Sequence, residues 1–229
     1  MNIKKLNSSN GFTIVELMIS LSILSVILVI STVVITQIGR IYAKGVNAAD
    51  IQNINRNVLA DLSSSLQFSG SQPFPCTIDT AQTCAASTAS FTGIPTAYAY
   101  CIGTTRYSFV FNKELGYDQS TNETTNHVLW KDTMSNISTC IPVDLSVAGD
   151  PSPGTKGYEM VGPHMQITKL KIKGSSTNIG EYTVDAWLGY GDSDLVRVDV
   201  NGVPSCKDGD GTEFCASSQL SQTVIRRLD

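Results

Sequence analysis

The feature that most limits what this chain can fold into is an apolar run near its amino end. Lys4 and Lys5 precede the run and Arg40 follows it; between Lys5 and Arg40 the single charge is Glu16. Residues 12–38, 27 in number, make about 40 Å of helix at roughly 1.5 Å per residue. That length crosses a hydrocarbon core of about 30 Å. The paired lysines keep the short leader cytoplasmic and place everything beyond Arg40 outside.

Glu16 is the anomaly in this run. A carboxylate at mid-bilayer costs about 2.5–3.5 kcal/mol, so an acid there is a functional residue by default. Its bland reading is a tolerated acid near the interface, where the cost shrinks. The stretch Gly11-Phe12-Thr13-Ile14-Val15-Glu16-Leu17 decides between the two, because it resembles the processing site of type IV pilins and of the pseudopilins of type II secretion and DNA-uptake machines. The resemblance implies that a prepilin peptidase cuts after Gly11 on the cytoplasmic face and methylates the new amine of Phe12. It further implies that Glu16 acts in assembly. A buried carboxylate is tolerable when paired with a cation, and the terminal amine of a neighbouring subunit supplies one.

Two other readings compete. A secretory signal cut after Val46-Asn47-Ala48 needs an apolar region of about 7–15 residues; this one is about twice as long and carries an acid. A plain single-span anchor explains neither Gly11-Phe12 nor Glu16.

Loss of Met1 to Gly11 leaves 218 of the 229 residues and moves the formal charge from −4 to −6, because Lys4 and Lys5 leave with the leader. A mildly acidic chain of low charge argues against a general nucleic-acid binder, which would show a basic stripe. All six cysteines, Cys76, Cys84, Cys101, Cys140, Cys206 and Cys215, lie in the part expected outside, where an even number reads as three disulfides. Fifteen pairings are possible; the simplest joins sequence neighbours, Cys76–Cys84, Cys101–Cys140 and Cys206–Cys215. A zinc reading finds no Cys-x-x-Cys pair, and His127 and His164 stand apart.

Past Ile38 the pattern turns amphipathic. Ile51, Ile54, Val58, Leu62 and Leu66 recur every three or four residues, and the first proline is Pro73. One helix is expected over residues 12–68, naked in its first half and with one stripe to bury in its second. Gly39 and Gly45 are its weak points, since an interior glycine costs about 1 kcal/mol. Many pilins have a proline mid-membrane; Ser31-Thr32-Val33 stands there instead, so no kink is expected.

Beyond the helix, strand signals fall at residues 97–102, 106–112, 127–131, 165–173, 181–190, 195–200 and 223–228. Residues 118–126 read as an exposed loop, residues 142–163 as a Pro/Gly-rich loop, and residues 191–194 as the turn joining the two strands beside it. Val196, Val198 and Val200 are expected to face inward. The fold class is α+β and pilin-like: a leader (1–11), a membrane or filament-core helix (12–38), its amphipathic continuation (39–68), and an antiparallel-sheet globular domain (69–229).

Asp208, Asp210, Thr212 and Glu213 sit between Cys206 and Cys215 with glycines interspersed, resembling the first half of a calcium loop. The full twelve-residue pattern is absent, and a solvated turn needs no metal. No cofactor is otherwise implied. Catalytic motifs are missing: no His-Glu-x-x-His, Gly-x-Ser-x-Gly, P-loop or dinucleotide glycine pattern. His127 reads as structural and His164 as a loop residue without a carboxylate partner. Tyr98, Tyr100, Tyr107, Phe109, Phe111 and Trp187 read as sheet residues rather than a sugar- or DNA-binding face.

The expected function is a structural subunit of a type IV pilus or pseudopilus, not an enzyme. Its partners are the prepilin peptidase, an inner-membrane assembly platform and other pilin subunits. It waits in the cytoplasmic membrane with its globular part outside, then enters an extracellular pilus or a periplasmic pseudopilus. Its length and residues 51–62, which resemble the outer helix of larger minor pilins and J-type pseudopilins, point to a minor subunit. The alternatives are a minor pilin acting as adhesin or DNA receptor, and a membrane-anchored enzyme.

Overall fold

Only two glycines and no proline interrupt residues 14–68, and α1 runs unbroken over Ile14–Phe68. The computed structural model describes residues 11, 13–78, 84–85, 98–118, 123–134, 140–192, 194–209 and 211–227; for residues 77, 78, 84, 85, 117, 118, 123 and 124 it describes the backbone alone. The chain forms two compact units, the first ending at Tyr42 and the second beginning at Ala43.

In the first unit every large apolar side chain from Ile14 to Tyr42 is between 49% and 79% exposed. The hydroxyls of Ser20, Ser22, Ser25, Thr32 and Thr36 fold back onto carbonyls three or four residues earlier, at 2.7–2.9 Å. The polar atoms of these side chains therefore ask nothing of the surroundings, as a segment in lipid or in a helix bundle requires.

In the second unit α1 buries Ile51, Asn55, Val58, Leu59, Leu62, Ser63 and Leu66. These follow the expected stripe, with Ile54 only partly buried. Against them pack two sheets. The first has six strands in the order β2 (Cys84–Ala85), β1 (Phe74–Ile78), β3 (Tyr98–Ile102), β4 (Thr105–Phe109), β7 (Leu129–Thr133), β8 (Tyr158–Glu159). The second has three, β13 (Ala216–Ile225), β10 (Glu181–Tyr190) and β9 (Met165–Gly174). Two ribbons complete the described strands: β5 (Gly116–Asp118) with β6 (Glu123–Asn126), and β11 (Val196–Val198) with β12 (Pro204–Cys206). All strand pairs among the described residues are antiparallel.

One core joins the helix stripe to Tyr98, Tyr107, Phe109 and Leu129 of the first sheet and to Ile167, Leu170, Val184 and Leu188 of the second. Polar ties fix the helix to each sheet. Asn55 donates through Nδ2 to Ala186 O at 3.0 Å and to Ser218 Oγ at 2.9 Å. Asp61 accepts from Tyr107 OH and from Lys131 Nζ, each at 2.7 Å. The sheets are stitched together where Asn112 N donates to Ile167 O at 2.8 Å and Leu115 N to Met165 O at 3.0 Å. Arg106 pairs with the buried Asp132 through two hydrogen bonds, Nε to Oδ1 at 2.9 Å and Nη2 to Oδ2.

Several expectations are corrected. Among the described residues the strands fall into a six-stranded sheet, a three-stranded sheet and two two-stranded ribbons rather than one sheet. The stretch read as a loop over residues 118–126 holds β6, because a two-stranded ribbon needs backbone pairing and no apolar face. The final strand begins at Ala216, not Thr223: its inward position Ser218 is polar, and Asn55 satisfies it. Residues 191–194 do not join paired strands; β10 pairs with β9 and β13, and β11 pairs with β12. Val198 is only partly buried and Val200 is fully exposed. Val200 lies at the tip of the β11–β12 hairpin, where Asp199 Oδ1 accepts the amides of Asn201 and Val203 at 2.8 Å.

Two predictions follow from this packing. Leu62→Ala removes a side chain with no exposed area and is expected to cost about 2–5 kcal/mol in denaturant unfolding of the second unit, with Ile41→Ala near zero. Burial pushes the Tyr98 phenol up to about 12 and also raises those of Tyr100 and Tyr107. The unfolded chain ionises near pH 10, so the folded state favours the neutral phenols. Stability is expected to hold below about pH 10 and to fall as pH rises through about 12. Tyrosinate absorbance should then appear together with unfolding.

Candidate assembly and processing site

The start of α1 carries the residues to which the sequence assigns processing and assembly. Gly11 is exposed, with no atom within 4 Å of where a Cβ would stand. Phe12 lies outside the described residues. Thr13 and Glu16 close a reciprocal pair: Thr13 N and Thr13 Oγ1 each donate to Glu16 Oε2 at 3.1 Å, and Glu16 N donates to Thr13 Oγ1 at 3.2 Å. This is a capping box, with Thr13 as N-cap and Glu16 three residues on. Leu17 N donating to Thr13 O at 3.2 Å is the first helical bond. Thr13-x-x-Glu16 has the spacing of such a box in the sequence, a signal hidden behind the more conspicuous lone acid.

The box gives Glu16 a place in the chain alone. Its carboxylate sits at the helix amino end, where the dipole favours negative charge. Oε2 is held by Thr13, while Oε1 has no hydrogen-bond partner among the described residues. Among the described residues, the carboxylate is positioned through one oxygen only.

A family model described as the prokaryotic N-terminal methylation motif matches residues 6–32. The chain carries the prepilin-type signal of type IV pilins. That signal supports a pilin-like or pseudopilin subunit, processed by a prepilin peptidase and assembled with other pilin subunits. Together with α1, it fits a membrane-anchored precursor. No curated protein and no solved structure matches the chain.

The remaining sequence candidates lie in the second unit. Cys206–Cys215 and Cys101–Cys140 are disulfides with Cα atoms 5.7 and 6.0 Å apart. Cys76 is disulfide-bonded too; the side chain of Cys84 is outside the described ones. Within the loop closed by Cys206–Cys215, Asp208 is exposed, Thr212 and Glu213 lie on a short 3-10 turn, and Asp210 is outside the described residues. Asn47 Nδ2 donates to Glu213 O at 3.4 Å, which ties this loop to α1.

His127 is buried, with Nε2 donating to Gly149 O at 2.5 Å and Nδ1 3.2 Å from Glu159 Oε2. Those contacts suit a structural residue. His164 does have carboxylate partners, which corrects the sequence reading: Glu114 Oε1 at 2.8 Å and Asp192 Oδ1 at 3.2 Å from Nδ1. Residues 50 and 28 positions away are invisible to a local reading. Tyr98, Tyr100, Tyr107 and Phe109 are in the core and form no ligand face. Trp187 is capped by Lys169, whose Nζ lies 3.6 Å from the ring centroid.

The capping geometry is testable. Thr13→Val keeps the side-chain shape and removes the hydroxyl, and is expected to cost about 1 kcal/mol at the helix start. Amide exchange of the detergent-solubilised chain should speed up about fivefold at Glu16 and Leu17 and stay unchanged at Leu62.

Proposed function

We propose that this chain is a minor subunit of a type IV pilus or pseudopilus, cut between Gly11 and Phe12 and assembled through residues 12–38. The observation that carries the reading is the prepilin-type motif over residues 6–32, which runs into a helix whose large apolar side chains from Ile14 to Tyr42 stand about half exposed or more. Such a surface is stable only in lipid or against other apolar helices. Before assembly, the membrane covers it. In the fibre, the same segments of neighbouring copies do.

The Glu16 oxygen that Thr13 does not bond supports the assembly role. Cleavage after Gly11 frees an amine on Phe12, one residue ahead of the capping box. In an incoming copy, that amine is the cation a carboxylate in an apolar bundle needs. Thr13 holds the carboxylate in place, and the charge on Oε1 seeks the neighbour. A chain inserted without this pairing leaves an unpaired acid in hydrocarbon, so the pairing also selects the axial register of insertion. The long second unit, with two sheets on one helix, fits a minor rather than a repeating major subunit.

Processing and charge can be tested separately. In a host with a working prepilin peptidase, intact mass should show loss of residues 1–11 and gain of one methyl group. Gly11→Glu should leave the leader attached. Glu16→Gln keeps a capping-box side chain but removes the charge; it should be processed normally and fail to enter fibres. Full leader retention in the parent, or normal fibre entry of Glu16→Gln, contradicts the reading.

A further inference from the structure

The contacts of His164 have no role in the subunit reading. His164 stands just before β9, Asp192 just after β10, and Glu114 on the connection between β4 and β5. Each position is set by backbone bonds rather than by side-chain chance. Gly191 N donates to His164 O at 2.8 Å, Leu115 N to Met165 O at 3.0 Å, and Leu195 N to Asp192 O at 2.9 Å. Glu114 also bridges Gln166 in antiparallel fashion. Three segments far apart in sequence thus deliver an imidazole nitrogen and two carboxylate oxygens to one spot, all within 4.8 Å of one another.

The donor arithmetic of this spot is unbalanced. One ring nitrogen, His164 Nδ1, faces two carboxylate oxygens at 2.8 and 3.2 Å, and a nitrogen carries at most one proton. Neither Glu114 nor Asp192 pairs with any lysine or arginine among the described residues. With Nδ1 protonated, one N–H faces both carboxylates; with the proton gone, two negative charges and a lone pair converge. A cation satisfies all three at once.

We propose that Glu114, His164 and Asp192 bind a divalent first-row transition cation, with zinc as the test ion. One nitrogen and two oxygens suit such a cation better than calcium, which takes oxygen ligands alone. The observed spacings of 2.8 and 3.2 Å approach the ~3.3 Å edge of a tetrahedron with bonds of about 2.0–2.1 Å. Three protein ligands leave a fourth position to water. The ion clamps the entry of β9, the exit of β10 and the link between the two sheets. It also sits next to the disulfide loop, since a Cβ on Gly191 would stand 3.1 Å from Phe214 O. This site is independent of the leader and of Glu16.

The chain makes the assignment clean to test. It has two histidines, and both ring nitrogens of His127 are occupied in the interior. The cysteines described with side chains are disulfide-bonded and offer no thiolate. Any nitrogen ligation of zinc or cobalt in the untagged, oxidised full-length chain therefore reports His164. Titration with zinc chloride in detergent should show one ion per chain at micromolar or tighter affinity, and cobalt should give the ligand-field bands of a low-coordinate site.

His164 has φ 59°, in the left-handed region that asparagine tolerates, so His164→Asn is the variant that spares the backbone. Losing only an outer partner of a metal ligand costs about 10–100-fold in affinity. His164→Asn and Glu114→Gln are each expected to weaken zinc binding by at least that much, while Asp208→Asn leaves it unchanged. Absence of zinc binding by the parent at millimolar metal overturns the proposal. So does unchanged affinity in a folded Glu114→Gln or His164→Asn chain, or a loss in Asp208→Asn equal to theirs.

Discussion

The seven residues that α1 buries between Ile51 and Leu66 form the wall on which both sheets close. Neither sheet completes a core alone. The three-stranded sheet presents Val184, Ala186 and Leu188 on its inner face, the six-stranded sheet presents Tyr107, Phe109 and Leu129, and the helix stripe lies in contact with both sets. The polar ties repeat this division: Asn55 belongs to the second sheet and Asp61 to the first. Removing the helix would leave two apolar sheet faces and a set of buried partners, Ser218 and Tyr107 among them, without their bonds. The second unit therefore cannot shed its helix, and whatever holds residues 14–42 holds the whole protein.

That dependence gives the apolar half of α1 its meaning. Nineteen large apolar side chains from Ile14 to Tyr42 stand about half exposed or more, and burying such side chains is worth about 1.5–3 kcal/mol each. Water is not an acceptable neighbour for that surface. Lipid covers it without choosing a partner; a bundle of identical helices covers it and sets spacing and register. The capping box at Thr13 and Glu16 adds the discriminating element, because it positions one charge at the end of an otherwise featureless rod.

How much of this could be read from residues alone varied with the kind of signal. The helix was legible because its stripe has a clear period and nothing breaks it. The strand at residues 181–190 was legible because inward Tyr182, Val184, Ala186 and Leu188 alternate with Thr183, Asp185 and Trp187. Strand β13 was hidden because Ser218 faces inward, and the polarity there makes sense only with Asn55 in place. Ribbon β5–β6 was hidden because two paired strands can be polar on both faces. The division into two sheets depends on bonds such as Asn112 N to Ile167 O, which no local pattern encodes. At the amino end, the acid stands out as a lone charge, whereas Thr13 is an ordinary polar residue whose role shows only in the Thr-x-x-Glu spacing. The Glu114, His164 and Asp192 grouping is purely tertiary, assembled from positions separated by 50 and 28 residues.

The central claim is that the charge on Glu16 meets the cut amino end of a different copy. Zero-length carbodiimide coupling of assembled fibres, grown from a mixture of light and isotopically heavy subunits, reads that contact directly. The account predicts an amide between the Phe12 amine and the Glu16 carboxylate, found in mixed light–heavy peptide pairs at the statistical frequency. A fibre in which that linkage is absent, or in which it joins only peptides of the same label, contradicts it.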